Sequence, residues 1–390
     1  MSDLDINRIM EHVRVLSVDI GPRGPTTRGE ERAAQYIFSE LKKQGIEVWT
    51  EEFLSPTTFS WYYAVPNFMI FLSFIVFLFN PLIGVLLSIT GAIFFFTEIN
   101  TIETVSRFFP KKKSKNIVGK LGSGEPVKKR IVIVSHHDTS KPSLSFHPRN
   151  IPYFRASIVL MIFSVFFISA ALVLELFLDS RGILPHISTP LALYLLVSVL
   201  VCIHRELYYE PVPGANDNAS GTGIVLALGK ALASNPPEET EVWFLSTGCE
   251  EVGTIGMMRF LERHGEELKD AYFINIDNVG RGNIRYTEGE GLIKAFSCSR
   301  ELIDIARKAG ESAGIESRPF VSKIYPTNTL PCLVRHHRAI SILATDRKGL
   351  IYNWHWPTDT YDRLDENTID QAYKLVLEMV NLLDTKDKNN

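Results

Sequence analysis

The sequence predicts a mixed α/β fold. A mostly parallel central sheet has helices on both faces, and four transmembrane helices are inserted into it as two hairpins. Strand-like and helix-like patterns alternate over three segments, residues 1–57, 100–150 and 205–385, which indicates one discontinuous α/β domain. The two stretches between these segments, 58–99 and 151–204, are long and mostly apolar, as transmembrane hairpins are. Residues 386–390 are polar and are expected to form a disordered tail.

The first apolar stretch, residues 62–99, is about twice as long as one membrane span and has Asn80-Pro81 at its centre. Asn-Pro is a turn signal, so helices are expected at 62–79 and 82–99. The alternative is a long buried core element, but a core helix of a soluble protein rarely lacks charge on every face. A hairpin is therefore the better interpretation.

The second apolar stretch contains a run at 156–178, which as a helix is roughly 34 Å long and matches the bilayer core. A shorter run at 190–203 is ambiguous by itself. As the partner of the preceding span, however, it returns the chain to the side from which it came. The sequence thus predicts four transmembrane helices.

The remaining segments predict strands and helices in alternation. Residues 30–44 have apolar side chains at helical spacing and end at Gly45. Residues 130–137 form a nearly continuous apolar run, which is typical of a strand at the centre of a sheet. Further strands are expected at 46–53, 117–121, 241–247, 271–277 and 339–345, and further helices at 223–234, 254–264, 300–313 and 366–383.

Composition excludes some classes of function. Lys and Arg total 41 and Asp and Glu total 44, so the formal charge is 41 − 44 = −3, which argues against a nucleic-acid partner. The four cysteines are widely spaced and form no CxxC pair, which argues against a disulfide framework and fits a reducing compartment. The polar, acidic start has no apolar core with a cleavage site, so no signal peptide is expected.

Candidate catalytic residues collect in loops that follow strands or open helices, where ligands bind in doubly covered sheets. These loops contain residues 135–138, 213–221, 249–253, 275–280 and 354–360. Singly, each loop is a weak signal, because a carboxylate before a helix is usually a cap. Together they supply two imidazoles and at least four carboxylates, a set suited to two divalent ions, most often zinc. Two such cations need an anionic bridge between them.

Local geometry separates the roles of neighbouring residues in these loops. The period of two along a strand places His136 and Asp138 on the same side, so Asp138 can support an imidazole while His137 points elsewhere. Of the adjacent Glu250 and Glu251, one can bind a metal and the other can act as a proton shuttle.

These motifs resemble the M28 family of metallopeptidases, which contains aminopeptidases with a co-catalytic zinc pair. Five motifs occur in the family's order: HHD at 136–138, GANDNASG at 214–221, EEVG at 250–253, NIDNVG at 275–280 and WHWPTDT at 354–360. The opening GPRGPTTRGEERAAQYIFSELKKQGIEV also resembles the amino-terminal helix and strand of that family. The apolar hairpins lie outside the resemblance.

The resemblance implies two Zn²⁺ ions per chain and a role for each matched residue. Asp217 would bridge the ions, His136 and Asp277 would complete one site, and Glu251 and His355 would complete the other. Glu250 would be the general base for the bridging water, Asp138 would orient His136, and Asp359 would do the same for His355. Many members have Tyr before the last His, where this chain has Trp354; Tyr325 and Tyr352 are candidate substitutes.

The expected function is zinc-dependent hydrolysis of peptide bonds, with an aminopeptidase as the leading hypothesis. A carboxypeptidase, a dipeptidase or an N-acyl-amino-acid hydrolase on the same scaffold are alternatives, and so is a receptor-like relative without catalysis. A single-metal enzyme resembling glutaminyl cyclase is disfavoured by the complete two-metal set. The expected partners are a peptide or other amide substrate and the lipid bilayer.

Charge near the predicted spans indicates the orientation. Four spans place the amino terminus, the 100–155 segment and everything after 204 on one side, which carries Lys111, Lys112, Lys113, Lys115, Arg149, Arg155 and Arg205. The opposite loops hold one arginine, Arg181. The positive-inside rule then predicts a multi-pass membrane protein whose catalytic domain faces the cytoplasm.

The second hairpin interrupts the chain between two metal-ligand loops. Roughly 17 residues separate Asp138 from the third span and roughly 13 separate the fourth span from Asp217, so extended connectors reach only about 60 and 45 Å. The zinc pair is therefore expected near the membrane surface, where hydrophobic substrates partition. A plain membrane anchor is the alternative.

Overall fold

The structure is a computed structural model that describes residues 3–99, 104–122, 127–178 and 182–385. Its chain contacts divide into two compact units. The first, the sheet unit, contains the described residues of Met1–Ser55, Lys112–Lys141 and Pro211–Asn390. The second, the hairpin unit, contains those of Pro56–Lys111 and Pro142–Glu210. The disordered tail expected at 386–390 lies outside the described residues.

Helices and strands alternate along the chain. In order they are α1 Asp3–Arg14, α2 Arg28–Lys43, β1 Glu47–Pro56, α3 Ser60–Phe77, α4 Pro81–Ile99, β2 Lys111–Leu121, β3 Lys129–His136, α5 Phe154–Leu178, α6 Ile183–Tyr208, α7 Gly221–Ser234, β4 Thr240–Thr247, α8 Ile255–His264, β5 Tyr272–Ile276, β6 Asn283–Glu290, β7 Phe296–Ser297, α9 Arg300–Ala313, β8 Arg318–Ser322, α10 Thr329–Val334, β9 Arg338–Thr345 and α11 Glu366–Thr385.

The sheet unit is built on one nine-stranded mixed sheet in the order β1-β2-β4-β3-β5-β9-β6-β7, with β8 paired to β6. The central strands β4, β3, β5 and β9 are parallel, whereas β2 and β6 run antiparallel to their neighbours β4 and β9. The predicted mixed, mostly parallel α/β fold is confirmed. Because β3, β4 and β5 are adjacent and parallel, their carboxyl ends meet at one edge of the sheet.

Both faces of the sheet are buried by helices. One face packs against apolar side chains of α1, α2, α7, α9 and α11, including Ile9, Ile37 and Met379. The other packs against α8 and α10 through side chains such as Phe260 and Leu333. Strand β3 alternates between these faces, because Ile131 and Ile133 join the first cluster and Val132 and Val134 the second. This two-sided burial explains its continuous apolar sequence.

The hairpin unit contains four helices that are long and apolar enough to cross a membrane, a criterion of length and composition alone. Helices α3 and α4 meet at Asn80-Pro81, as the turn signal predicts. The fourth helix, α6, is longer than the run expected at 190–203, since it begins at Ile183 and has Pro190 in its interior. Proline lacks the amide hydrogen that positions in a helix interior use, so it is best tolerated in the first turn. Pro190 therefore indicated a helix start in the sequence.

Polar side chains join the ends of the two hairpins within this unit. Glu206 Oε1 accepts hydrogen bonds from the hydroxyls of Thr58 and Ser60, each at 2.6 Å. Arg205 Nη1 lies 2.8 Å from the same carboxylate oxygen and donates to Thr58 at 2.9 Å. Arg205 is buried, so its charge requires these partners. The first residues of one hairpin are thereby tied to the last turn of the other.

Two parts of the sheet unit differ from the sequence-based expectation. Helix α1 was not expected from the polar start of the chain, and it buries Ile9, Met10 and Val13 in the core. Strand β2 begins at Lys111 rather than 117, so the lysine run lies within a strand. Two of its lysines form ion pairs, Lys113 with Glu52 at 3.1 Å and Lys115 with Glu31 at 3.0 Å.

Candidate metal centre

The central parallel strands bring the candidate residues to one edge of the sheet. His136 is the last residue of β3, the Glu250–Val252 turn follows β4, and Asp277 follows β5 directly. His136 is in register with Thr247 of β4, so both strands end at the same level. Asp217 lies in an irregular turn before α7, and His355 lies in the loop after β9. All five ligand candidates and the base candidate Glu250 are buried.

The Asp217 carboxylate lies between the two imidazoles. Its Oδ1 is 3.2 Å from His136 Nε2, and its Oδ2 is 3.1 Å from His355 Nε2. Each imidazole nitrogen also has a second carboxylate beside it. Asp277 Oδ1 is 3.5 Å from His136 Nε2, and Glu251 Oε2 is 2.9 Å from His355 Nε2. Two three-residue groups therefore share Asp217 as their common member.

The tautomer of His136 follows from its neighbours. Its Nδ1 lies 3.1 Å from the backbone carbonyl oxygen of Asp138, which can only accept a hydrogen bond. Nδ1 must therefore carry a proton, and Nε2 is the ring nitrogen that faces Asp217 and Asp277. This is the arrangement in which a histidine binds a cation through Nε2. The neighbouring His137 is turned away, with Nδ1 3.0 Å from Ser246 Oγ, and burial lowers its pKa to about 4.

Asp138 does more than the orientation of His136 that the sequence predicts. Its carboxylate oxygen is 3.6 Å from His136 Nδ1, farther than its own carbonyl oxygen. Both carboxylate oxygens accept backbone hydrogen bonds at 3.0 Å, one from Glu250 and one from Glu251. Asp138 thus anchors the turn that carries the two glutamates.

Asp359 is placed differently from the expectation that it orients His355. Its Oδ1 accepts a hydrogen bond from the backbone N–H of Asn216 at 2.6 Å, and its Oδ2 accepts one from that of Asp217 at 3.0 Å. The two donors belong to the irregular turn at 215–220, so Asp359 positions the backbone of the central carboxylate. Burial raises the pKa of Asp359 to about 7, against the lowering effect of the Asn216 hydrogen bond.

Replacement of Asp359 by Asn should disturb this turn. The Asn side chain has one carbonyl oxygen and one NH₂ group. Its oxygen could accept a hydrogen bond from one of the two backbone N–H groups, but its NH₂ group would lie against the other, and two donors cannot form a hydrogen bond. Changes of this kind around metal ligands typically cost about 10- to 100-fold in metal affinity. We therefore expect Asp359→Asn to lower zinc affinity by about that factor in a chelator competition, whereas the exposed Asp362→Asn should not. Equal affinities in the two variants would contradict the positioning role.

Electrostatics of the cluster favour the binding of cations. Five carboxylates surround the two imidazoles, namely those of Asp138, Asp217, Glu250, Glu251 and Asp277. Burial is the largest cause that raises the pKa of Glu250, and Glu251 and Asp277 add to it while His136 opposes it. Burial also acts to raise the pKa of Asp217, but its hydrogen bonds to the two imidazoles hold it below the usual range. Uncompensated carboxylates at such distances are costly, and cations would relieve the cost.

The positions and the chemical types of these side chains fit the binding of metal ions. Ligand atoms of His136, Asp217 and Asp277 lie within 4.8 Å of one another, as do those of Asp217, Glu251 and His355. A third such group, His136 with Glu250 and Glu251, overlaps these two. Glu251 Oε1 is buried and accepts no hydrogen bond from the described residues. Imidazole and carboxylate donors of this number are typical of zinc sites.

Trp354 lies directly against the centre. Its ring stacks on His355 with 4.1 Å between ring centroids, and Tyr325 meets Trp354 edge-on at 4.7 Å. The Tyr325 hydroxyl accepts a hydrogen bond from the backbone N–H of Ile351 at 3.1 Å. Tyr352 is 38% exposed and has Arg281 over its ring. Of the two tyrosines that the sequence offers, Tyr325 is the one packed against the residues of the centre.

Comparisons with known proteins agree with this arrangement. The sequence model for "Peptidase family M28" matches residues 192–380. Aminopeptidase YwaD of Bacillus subtilis is 38% identical over 83 residues, which are 20% of this chain and only 18% of that protein's length. The alignment thus leaves most of that relative unmatched.

Solved structures share the fold along nearly the whole chain. A Zn-dependent exopeptidase from Parabacteroides distasonis superposes with a TM-score of 0.60 at 16% identity, covering 97% of this chain and 98% of that chain. A glutaminyl cyclase from Bacteroides thetaiotaomicron gives 0.59 at 17% identity, covering 96% of both chains. The fold alone therefore does not separate peptidases from cyclases. The matched region carries four of the five ligand candidates, Asp217, Glu251, Asp277 and His355, so over that region the chain is similar to peptidase family M28.

Proposed function

We propose that this protein is a membrane-bound dizinc metallopeptidase that removes amino-terminal residues from peptides. The observation that supports this most directly is the position of the Asp217 carboxylate, with one oxygen beside each imidazole. A carboxylate in that position can bridge two cations and neutralise part of their repulsion. His136 and Asp277 would hold one ion, and Glu251 and His355 would hold the other.

Bound zinc would supply Lewis-acid polarisation of the scissile carbonyl and activation of water near neutral pH. Glu250 is the proposed proton acceptor, because it is a carboxylate beside the cluster and its burial, with the charges of Glu251 and Asp277, raises its pKa. A carboxylate with a raised pKa can take a proton from the attacking water and deliver it to the leaving nitrogen. Asp138 supports this role by holding the backbone of Glu250 and Glu251.

Other amide hydrolases on this scaffold remain the second candidate function. The number of metals and the end of the peptide that is trimmed are the quantities that separate them. We therefore propose a digest of an unbiased peptide library in detergent, with zinc-loaded and chelator-treated protein, followed by mass spectrometry. Loss of single residues from the amino end is the expected result, and it should disappear with the chelator.

Three other outcomes would redirect the proposal. Trimming from the carboxyl end would indicate a carboxypeptidase. Cyclised amino-terminal glutamine together with one zinc per chain would indicate a cyclase. No turnover and no metal would indicate a receptor-like relative.

The membrane association is proposed from the hairpin unit. Its four apolar helices expose many large apolar side chains, among them Phe68, Leu82, Phe163, Phe177 and Leu200. Exposed apolar area of this extent favours a lipid environment over water. A peptidase held in a bilayer would meet hydrophobic peptides at raised local concentration, and we propose such peptides as its substrates.

Positive charge predicts that the sheet unit faces the cytoplasm. We expect a cysteine introduced by Lys386→Cys to be protected from an impermeant thiol reagent on intact cells, and one introduced by Ser180→Cys to be labelled. The unsubstituted chain is the control, because Cys202 is only partly buried. Labelling at position 386 without labelling at 180 would reverse the orientation.

A further inference from the structure

The segment at residues 21–31, which we call the amino-terminal clasp, contacts three of the loops that carry candidate metal ligands. It precedes and begins α2, and it lies outside the residues matched by the family model. Its two buried ionisable side chains, Arg23 and Glu30, are exposed by 0% and 3%. A buried charge is costly unless it is paired or hydrogen-bonded, so the partners of these side chains indicate their purpose.

Arg23 connects the loop after β3 to the loop before α7. Its Nε donates to the carbonyl of His137 at 2.8 Å. Its Nη1 donates to the carbonyl of Pro213 at 2.7 Å, and its Nη2 to that of Gly214 at 2.8 Å. Its backbone N–H also donates to Thr139 Oγ1 at 3.0 Å. One planar guanidinium therefore fixes the backbone beside His136 to the backbone that leads into Asp217.

Close packing leaves little freedom at this junction. Gly214 has a φ of +61°, and a Cβ built there would lie 2.2 Å from Thr139 Cγ2 and 3.1 Å from Arg23 Nη2. Arg23 Nη1 also donates to the carbonyls of Leu16 and Gly21, at 2.8 and 3.1 Å. Lysine cannot reproduce this set, because its donors radiate from a single nitrogen.

Glu30 holds the loop that follows β4. Its Oε1 accepts a hydrogen bond from the backbone N–H of Cys249 at 2.9 Å, immediately before Glu250. Its Oε2 accepts one from the backbone N–H of Thr26 at 2.7 Å, within the clasp itself. The turn of Glu250 and Glu251 is thus held from one side by Asp138 and from the other by Glu30.

The charge of Arg23 also opposes the excess of negative charge in the centre. Burial lowers the pKa of Arg23 to about 10, so the side chain is still charged at neutral pH. The carboxylates whose charges act on it most are Asp359, Asp138, Asp217 and Glu251. The Arg23 guanidinium therefore contributes a fixed positive potential at the ligand cluster.

We infer that Arg23 and Glu30 are positioning residues that set the geometry of the metal centre from outside it. This inference rests on the proposed function. A positioning role differs from a purely structural role in one respect. Loss of either side chain should weaken zinc binding in protein that is still folded. Outer-shell partners of metal ligands typically contribute about 10- to 100-fold to affinity.

The test compares Arg23→Met, Arg23→Lys and Glu30→Gln with the exposed control Arg28→Met in the full chain. Zinc affinity is measured by competition with a chromophoric chelator, kcat and KM with a cleaved peptide, and the thermal unfolding of the zinc-free protein by circular dichroism. We expect Arg23→Met to lower zinc affinity by about 10- to 100-fold and to lower kcat with little change in KM. Arg23→Lys should recover only part of this loss, and Arg28→Met should match the wild type.

A lowered unfolding temperature with wild-type zinc affinity and wild-type kcat in Arg23→Met would overturn the inference. If Arg23→Met does not fold, Glu30→Gln decides, because it tests the clasp with a side chain of equal size. Wild-type affinity and kcat in folded Glu30→Gln would then overturn the inference. Wild-type protein that takes up no zinc would overturn the proposed function as well, so the two failures are distinguishable.

Discussion

Glu250→Gln is expected to retain zinc and to lose most turnover. The amide cannot accept the proton of the attacking water, and removal of a general base typically costs about 10² to 10⁴-fold in rate. Gln has nearly the same shape as Glu, so the backbone hydrogen bond from Glu250 to Asp138 at 3.0 Å should persist. The measurement is kcat on a cleaved peptide together with zinc per chain by elemental analysis.

The neighbouring residue provides a matched contrast to this variant. Glu251 Oε2 lies 2.9 Å from His355 Nε2, so Glu251→Gln should weaken zinc binding as well as turnover. Retained zinc in Glu250→Gln and reduced zinc in Glu251→Gln would assign the base and the ligand to adjacent residues. Wild-type hydrolysis by Glu250→Gln would show that another group accepts the proton, and loss of zinc would show that Glu250 is a ligand.

Asp217→Asn should have the largest effect on metal content, because the same carboxylate contacts both imidazoles. Asn keeps the shape but loses the negative charge and one of the two acceptor oxygens. Two cations without an anionic bridge repel each other, so both sites should weaken together. Changes to residues that hydrogen-bond to metal ligands typically lower metal affinity by about 10- to 100-fold, and we expect Asp217→Asn to lower zinc affinity by more than this.

Zinc stoichiometry is the decisive measurement for this variant, and Asp270→Asn is its control because Asp270 is exposed. The expected result is a fall from the proposed two zinc ions per chain to at most one weakly bound ion, with turnover lost in parallel. Loss of one ion while the other binds with wild-type affinity would contradict the bridging role. In that case Asp217 would belong to a single site.

Much of the fold could be predicted because local sequence patterns carry it. Strand β3 is apolar on both faces because both faces are buried, and α9 was expected at Arg300–Ala313, where it lies. The long, mostly apolar stretches predict the four apolar helices, because the criterion for a membrane-spanning helix is its length and composition. Short elements such as α10 and β8 were not expected, because segments of five or six residues carry little periodic signal.

The sequence by itself also predicted that the candidate loops lie at the carboxyl edge of the sheet, because ligand-binding loops follow the ends of strands in doubly covered sheets. The tertiary structure then decided that the strands preceding His136, Glu251 and Asp277 are neighbours in that sheet. Residue order could not assign Asp359 to the backbone of Asp217, because that contact joins positions 142 residues apart. Nor could it reveal that Arg23 donates to Gly214, which lies 191 residues away. Such hydrogen bonds depend on the path of each loop after packing, and only the tertiary structure decides that path.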